Sequence, residues 1–186
     1  MARHGRRGAA WRTALMGAAL LTAGIPSAHA APAAAAPPQQ VSFRLTSANL
    51  QALDIKGGST ADKATASQEA WSPTSRSQRW TPVETGSGFY QFKNLNSGKC
   101  LNFNGASTAD NAQAIQYTCN SSDNQLWKLL PTPYAGGYQL VNKNSSKCAS
   151  VSGGTPGTGR DIVQLPCTKG IPGDTWTPVW EAEPLI

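Results

Sequence analysis

The strongest constraint on this chain is a spacing. Cys148 follows Cys100 by the same interval at which Cys167 follows Cys119. The period is about 48 residues, within the range of repeat architectures. One period before Cys100 and Cys119 stand Ala52 and Trp71, where the pattern persists without the cysteines. Ala52-Leu53-Asp54-Ile55 aligns with Cys100-Leu101-Asn102-Phe103 and Cys148-Ala149-Ser150-Val151. Further on, Gln78-Arg79-Trp80 aligns with Gln125-Leu126-Trp127 and Asp174-Thr175-Trp176. Three units follow, at about 41–88, 89–137 and 138–186. A unit of this length can hardly bury a core by itself, so the three are expected to share one.

Within each unit, short alternating segments are separated by turn residues. Tyr90-Gln91-Phe92 runs into Asn94-Leu95-Asn96-Ser97-Gly98, and Tyr138-Gln139-Leu140 runs into Asn142-Lys143-Asn144-Ser145-Ser146. Brief strands bounded by Asn, Ser and Gly clusters mark an all-β fold. No helical period runs long enough to oppose it.

The C-L-[DN]-x…Q-x-W pattern, present three times, resembles the ricin B-type lectin domain over about 41–186. The resemblance implies a β-trefoil of three repeats of about 48 residues. It implies carbohydrate as the partner, with one shallow site per lobe. Each site would hold an acid two residues after the first cysteine, an aromatic platform two before the second, an Asn-Gln pair opening Q-x-W, and an assisting glutamine. Such groups suit a sugar: its C–H face stacks on the ring, and its hydroxyls pair with carboxylate and amides. Carried onto this chain, the second lobe keeps Tyr117 and Asn124-Gln125, with Asn102 in place of the acid and Gln116 as the assisting glutamine, one residue late. The first lobe keeps Asp54 and Gln78 but has Glu69 and Ser77 at the other positions. The third has Ser150, Leu165 and Gly173-Asp174. The second lobe is the expected sugar site and the first a poor second. The resemblance also makes Trp80, Trp127 and Trp176 core residues.

Four cysteines allow three pairings. Equivalent positions in equivalent lobes select Cys100–Cys119 and Cys148–Cys167, with Ala52 and Trp71 filling the corresponding space in the first lobe. A metal site is not expected, because the spacing lacks C-x-x-C and both histidines, His4 and His29, lie near the amino terminus.

Residues 1–30 read as a secretory signal peptide. Arg3, Arg6, Arg7 and Arg12 precede the apolar run 13–25, and Ala28-His29-Ala30 is an A-x-A cleavage signal. The run is too short to span a bilayer, so no membrane insertion is expected. The Ala/Pro-rich stretch 31–40 reads as a disordered spacer. Four of the sixteen basic residues and none of the ten acids lie in the leader, which leaves twelve against ten. A net charge of +2 gives no reason to invoke nucleic acid. With no histidine after His29, catalysis and cofactors are not expected. The competing function is a trefoil that binds protein, such as a protease inhibitor, through loops such as 155–159 or 170–173. Export predicts cleavage after Ala30: mass spectrometry of protein from the medium should find Ala31 first, and an intact leader there would contradict the reading.

Overall fold

The alternating segments form twelve strands in the computed structural model, which describes residues 40–45, 48–168 and 173–181. They are β1 (Gln40–Leu45), β2 (Ala48–Ile55), β3 (Ala66–Ala70), β4 (Trp80–Gly86), β5 (Phe89–Asn94), β6 (Cys100–Phe103), β7 (Ala114–Tyr117), β8 (Trp127–Pro131), β9 (Tyr138–Asn142), β10 (Cys148–Val151), β11 (Arg160–Leu165) and β12 (Trp176–Glu181). The helical pieces among the described residues are single 3₁₀ turns, so the chain is all-β as its turn-rich alternation predicts. The leader and residues 31–39 lie outside the described residues. Gln40 corrects the expected spacer boundary: it is buried and opens β1 opposite Glu181 of β12. That pairing joins the two ends of the folded chain, so no local sequence signal announces it.

Antiparallel pairings β1–β4, β4–β5, β5–β8, β8–β9, β9–β12 and β12–β1 close six strands into a ring, which leaves them no free edge. The other six strands form three hairpins, β2–β3, β6–β7 and β10–β11. Trp80, Trp127 and Trp176 begin three of the ring strands and are completely buried. Each indole N–H donates to a hairpin carbonyl: Leu53 at 3.3 Å, Leu101 at 3.0 Å and Ala149 at 2.9 Å. Phe43, Phe92 and Phe103 complete the aromatic core, with Phe43 edge-on to Phe92 at 4.7 Å and Phe103 tilted against Trp127 at 5.0 Å. Burying side chains of this size stabilises by about 1.5–3 kcal/mol each.

The hairpins are tied to one another around the axis. Lys99 pairs with Asp62 at 2.7 Å, Lys147 pairs with Asp110, and Thr158 donates to Gln51 at 3.2 Å. Gln51, Lys99 and Lys147 occupy equivalent positions of the three lobes, as do Asp62, Asp110 and Thr158.

Two disulfides form, Cys100–Cys119 and Cys148–Cys167, each between cysteines 19 apart within one lobe. In the first lobe Ala52 is fully buried, but Trp71 is only half-buried. The Arg44 guanidinium lies 4.0 Å from its ring centroid and that of Arg79 6.0 Å, so a cation–π clamp holds the loop that cystine holds elsewhere.

The residue two before each tryptophan folds the preceding loop onto itself. Gln78 accepts from the Ser72 N–H at 2.8 Å and donates to the Ala70 carbonyl at 2.9 Å. Gln125 repeats this with the Asn120 N–H at 2.8 Å and the Thr118 carbonyl at 3.0 Å. In the third lobe the position is Asp174, which accepts from Gln139 Nε2 at 2.8 Å and Thr175 Oγ1 at 3.2 Å. Burial raises its carboxyl above the ordinary 3.8, against the opposing pull of those bonds.

Replacing Cys148 and Cys167 together by Ala should lower stability by about 3 kcal/mol, read as a shifted urea midpoint, because the unfolded chain regains the entropy of the opened loop. A loss below about 1 kcal/mol would show that the loop is held without the bond. For Asp174 the sign follows from its raised pKa. The folded chain binds the proton more tightly than the unfolded chain, so this contribution is fully present below pH 3.8 and is lost as pH rises through the folded value. Asp174→Asn should therefore be more stable than the parent at pH 7 and no more stable at pH 3, by thermal denaturation at both.

Candidate functional site

In the second hairpin Cys100 pairs with Tyr117 and Asn102 with Ile115. Opposed residues, and residues two apart, share one face of a sheet. Tyr117 and Asn102 therefore face the same way, while Leu101 and Gln116 face the other. Tyr117 stays half-buried and Asn102 is 5% exposed.

The loop after β7 comes back over that face. The Cys100–Cys119 bond pins its start and Gln125 braces its interior. It ends in the 3₁₀ turn Asp123–Gln125, which presents Asn124. Asn142 Nδ2, from the β9 turn of the next lobe, donates to the Asn124 carbonyl at 3.0 Å. Asn124 Nδ2 then donates to Asn102 Oδ1 at 2.5 Å and to the Phe103 carbonyl at 3.1 Å. Asn102 is thus oriented with its Oδ1 occupied, and among the described residues its Nδ2 has no partner.

These residues line a cleft of about 550 Å³ together with Lys63, Asn120 and Asp123. The Asp123 carboxylate is paired with Lys143 Nζ at 2.8 Å. Tyr117 offers the ring, and Asn102, Asn124 and Asn120 offer amides that both donate and accept. Asp123 was visible only as a neighbour of Asn124, and Lys63 arrives from the first lobe, so no local motif pointed to either.

Two of the expected contacts are corrected. Gln116 is completely buried, and its Nε2 donates to the Ser59 and Ala61 carbonyls at 2.7 and 2.9 Å while Ser97 Oγ donates to its Oε1 at 2.6 Å. Being adjacent to Tyr117 on a strand, it must point to the opposite face, where it clasps the first lobe. Gln164 makes the same clasp on Ser107 and Ala109. Gln125 is also completely buried, with both ends of its amide spent on the loop. Neither reaches the cleft.

The other lobes differ. In the first, Asp54 is 7% exposed, accepts from Gln78 Nε2 at 2.9 Å through Oδ2, and has its Oδ1 buried and, among the described residues, without a partner. Glu69 stands opposite Ala52, where Tyr117 stands opposite Cys100, and accepts from Ser67 Oγ at 2.8 Å. A carboxylate offers no stacking face. In the third lobe Gly173 brings backbone to where Asn124 has a side chain. A Cβ there would meet the Gly154 carbonyl oxygen at 2.9 Å, and the Val151 N–H donates to the Gly173 carbonyl at 2.8 Å. Leu165 takes the position opposite Cys148, and Ser150 is 3% exposed.

Of the loops that an inhibitor would use, 155–159 is tied down. Gly157 N–H donates to Gln68 Oε1 at 3.1 Å, Gly159 N–H to the Gln68 carbonyl at 2.7 Å, and Thr158 to Gln51. Residues 170–172 of the other loop lie outside the described residues. Among the described residues there is no His/Cys/Asp/Glu cluster suited to a metal, and no helix long and apolar enough to cross a membrane.

Comparison with known proteins agrees with this architecture. The profile of the family described as ricin-type β-trefoil lectin domain-like matches residues 39–117 and 76–165. No curated protein sequence matches the chain. Among solved structures, the designed threefold-symmetric protein ThreeFoil is 31% identical, over 75% of this chain and 97% of its own, with a TM-score of 0.71. The exo-β-1,3-galactanase 1,3Gal43A from Clostridium thermocellum is 27% identical, over 76% of this chain but only 30% of its own, with a TM-score of 0.69. The hemolytic lectin CEL-III, 23% identical over 76% of this chain and 30% of its own, shares the fold with a TM-score of 0.62. With the family profile spanning most of the ring and hairpins, and the same fold in these relatives, the chain belongs to the ricin-type β-trefoil lectin domain-like family.

Proposed function

We propose that this chain is an exported, non-catalytic carbohydrate-binding protein, a β-trefoil of three units of about 48 residues whose sugar site is the second-lobe cleft. The observation that carries the reading is the convergence of Tyr117, Asn102 and Asn124 on one open cleft, with Asn102 and Asn124 already oriented by each other. The ring supplies a rigid apolar surface for the C–H face of a pyranose, and the amides match its hydroxyls. Family membership supports carbohydrate as the partner.

The lining also favours binding over turnover. Glycoside hydrolysis takes two carboxyl groups flanking the scissile bond. Among the described residues lining the cleft, Asp123 is the one carboxylate, and Lys143 holds it. All four cysteines are in disulfides and residues 31–186 contain no histidine.

A shallow site with neutral amides should bind one sugar near millimolar, about −4 kcal/mol. Useful avidity would then come from repeated ligands or several copies. On a glycan array the parent should bind, and Tyr117→Ala should lose at least about tenfold with an unchanged thermal midpoint. Asn102→Asp keeps the acceptor for Asn124 and adds charge to the hydroxyl bonds, so affinity for a neutral sugar should rise. Tyr117→Ala that binds like the parent would refute the site, and a parent that binds no glycan would refute the function.

A further inference from the structure

The second-lobe cleft has two charged lining residues, Lys63 and Asp123. Asp123 is neutralised by Lys143 at 2.8 Å. Beside Lys63 in sequence, Asp62 is engaged by Lys99 at 2.7 Å and by the Thr118 N–H at 2.8 Å, and the Lys99 bond helps hold its carboxyl below the ordinary range. Lys63 has no ion pair or side-chain hydrogen bond among the described residues. The position that would otherwise carry the site's negative charge is Asn102. The cleft therefore presents one uncompensated positive charge and no uncompensated negative one.

The backbone adds a second observation. Lys63 has φ of 65°, and its N–H donates to the Gln116 carbonyl at 2.9 Å. The same left-handed corner recurs at Asn111 and Gly159, with φ of 63° and 79°, bonded to the carbonyls of Gln164 and Gln68. Asparagine and glycine suit that region, and lysine does not. Of the three corners, the one that borders the open cleft holds a cation, against its conformational preference.

We propose that the second-lobe cleft selects an acidic sugar, with Lys63 receiving the anionic group while Tyr117 stacks against the ring. This rests on the reading that the cleft binds sugar. A carboxylate and a sulfate ester present the same chemistry to an ammonium, and both would gain a charge-assisted bond that a neutral sugar cannot make.

Calorimetric titration with three probes tests it: an oligogalacturonate for carboxylate, a κ-carrageenan oligosaccharide for sulfate, and a neutral galacto-oligosaccharide. The parent should bind at least one acidic probe about tenfold more tightly than the neutral one, and the stronger of the two identifies the anion. Lys63→Gln should bring that ratio to about one. Lys63→Gly should do the same while relieving the backbone, which guards against a folding artefact. Asn102→Asp should invert the ratio, since its new charge repels the anion. A preference for the neutral sugar in the parent, or an acidic preference that survives Lys63→Gln and Lys63→Gly, overturns the Lys63 assignment. Sugar binding that Tyr117→Ala still removes would then leave the site itself standing. Absence of binding to all three probes and to a glycan array overturns both readings.

Discussion

A buried indole carries one polar group, and an N–H without an acceptor in the core costs about 1–3 kcal/mol. Trp80, Trp127 and Trp176 meet that demand in the same way, each reaching from the start of a ring strand to the carbonyl of the residue after position 52, 100 or 148. The bond fixes each hairpin's height above the ring as well as filling the core. Everything functional is hung from that relation. The hairpin face that bears Tyr117 and Asn102 is the face turned away from the tryptophan, because Leu101 and Gln116 occupy the inner one.

The loops above the hairpins are braced by neighbours. Gln116 and Gln164 clasp carbonyls of the preceding lobe, and Asn142 holds the carbonyl of Asn124 from the following one. The upper surface of the second lobe is thus completed by the other two. Lys63, from the first lobe, and Asn124, steadied by the third, meet over the second hairpin.

Small differences then decide which lobes are open. Asn124 bridges Asn102 and Phe103 by a side chain and leaves a cleft beside Tyr117. Gly173, at the equivalent place, lets the loop backbone close onto Val151 and Gly154. In the first lobe Asp54 has its Oδ1 buried and, among the described residues, without a partner, and the platform position is Glu69.

The family resemblance supplied Tyr117, Asn102 and Asn124 as neighbours, whereas residue order alone was enough for the all-β class and the disulfide pairs. Those follow from covalent spacing and from the two-residue period of strands, which tertiary packing can use but not alter. It was silent on the start of β1 at Gln40, which depends on pairing with the far end of the chain. The resemblance also assigned Gln116 and Gln125 to the sugar, because motif spacing counts residues and not faces. Strand alternation turned Gln116 away from Tyr117, and the loop's own backbone took up Gln125. It was packing between distant segments that set the Gly173 backbone against Val151 and Gly154 and carried Lys63 to the second lobe's cleft. Those outcomes depend on contacts between segments distant along the chain, whose geometry is set by the packed lobes and leaves no local signature in the order of residues.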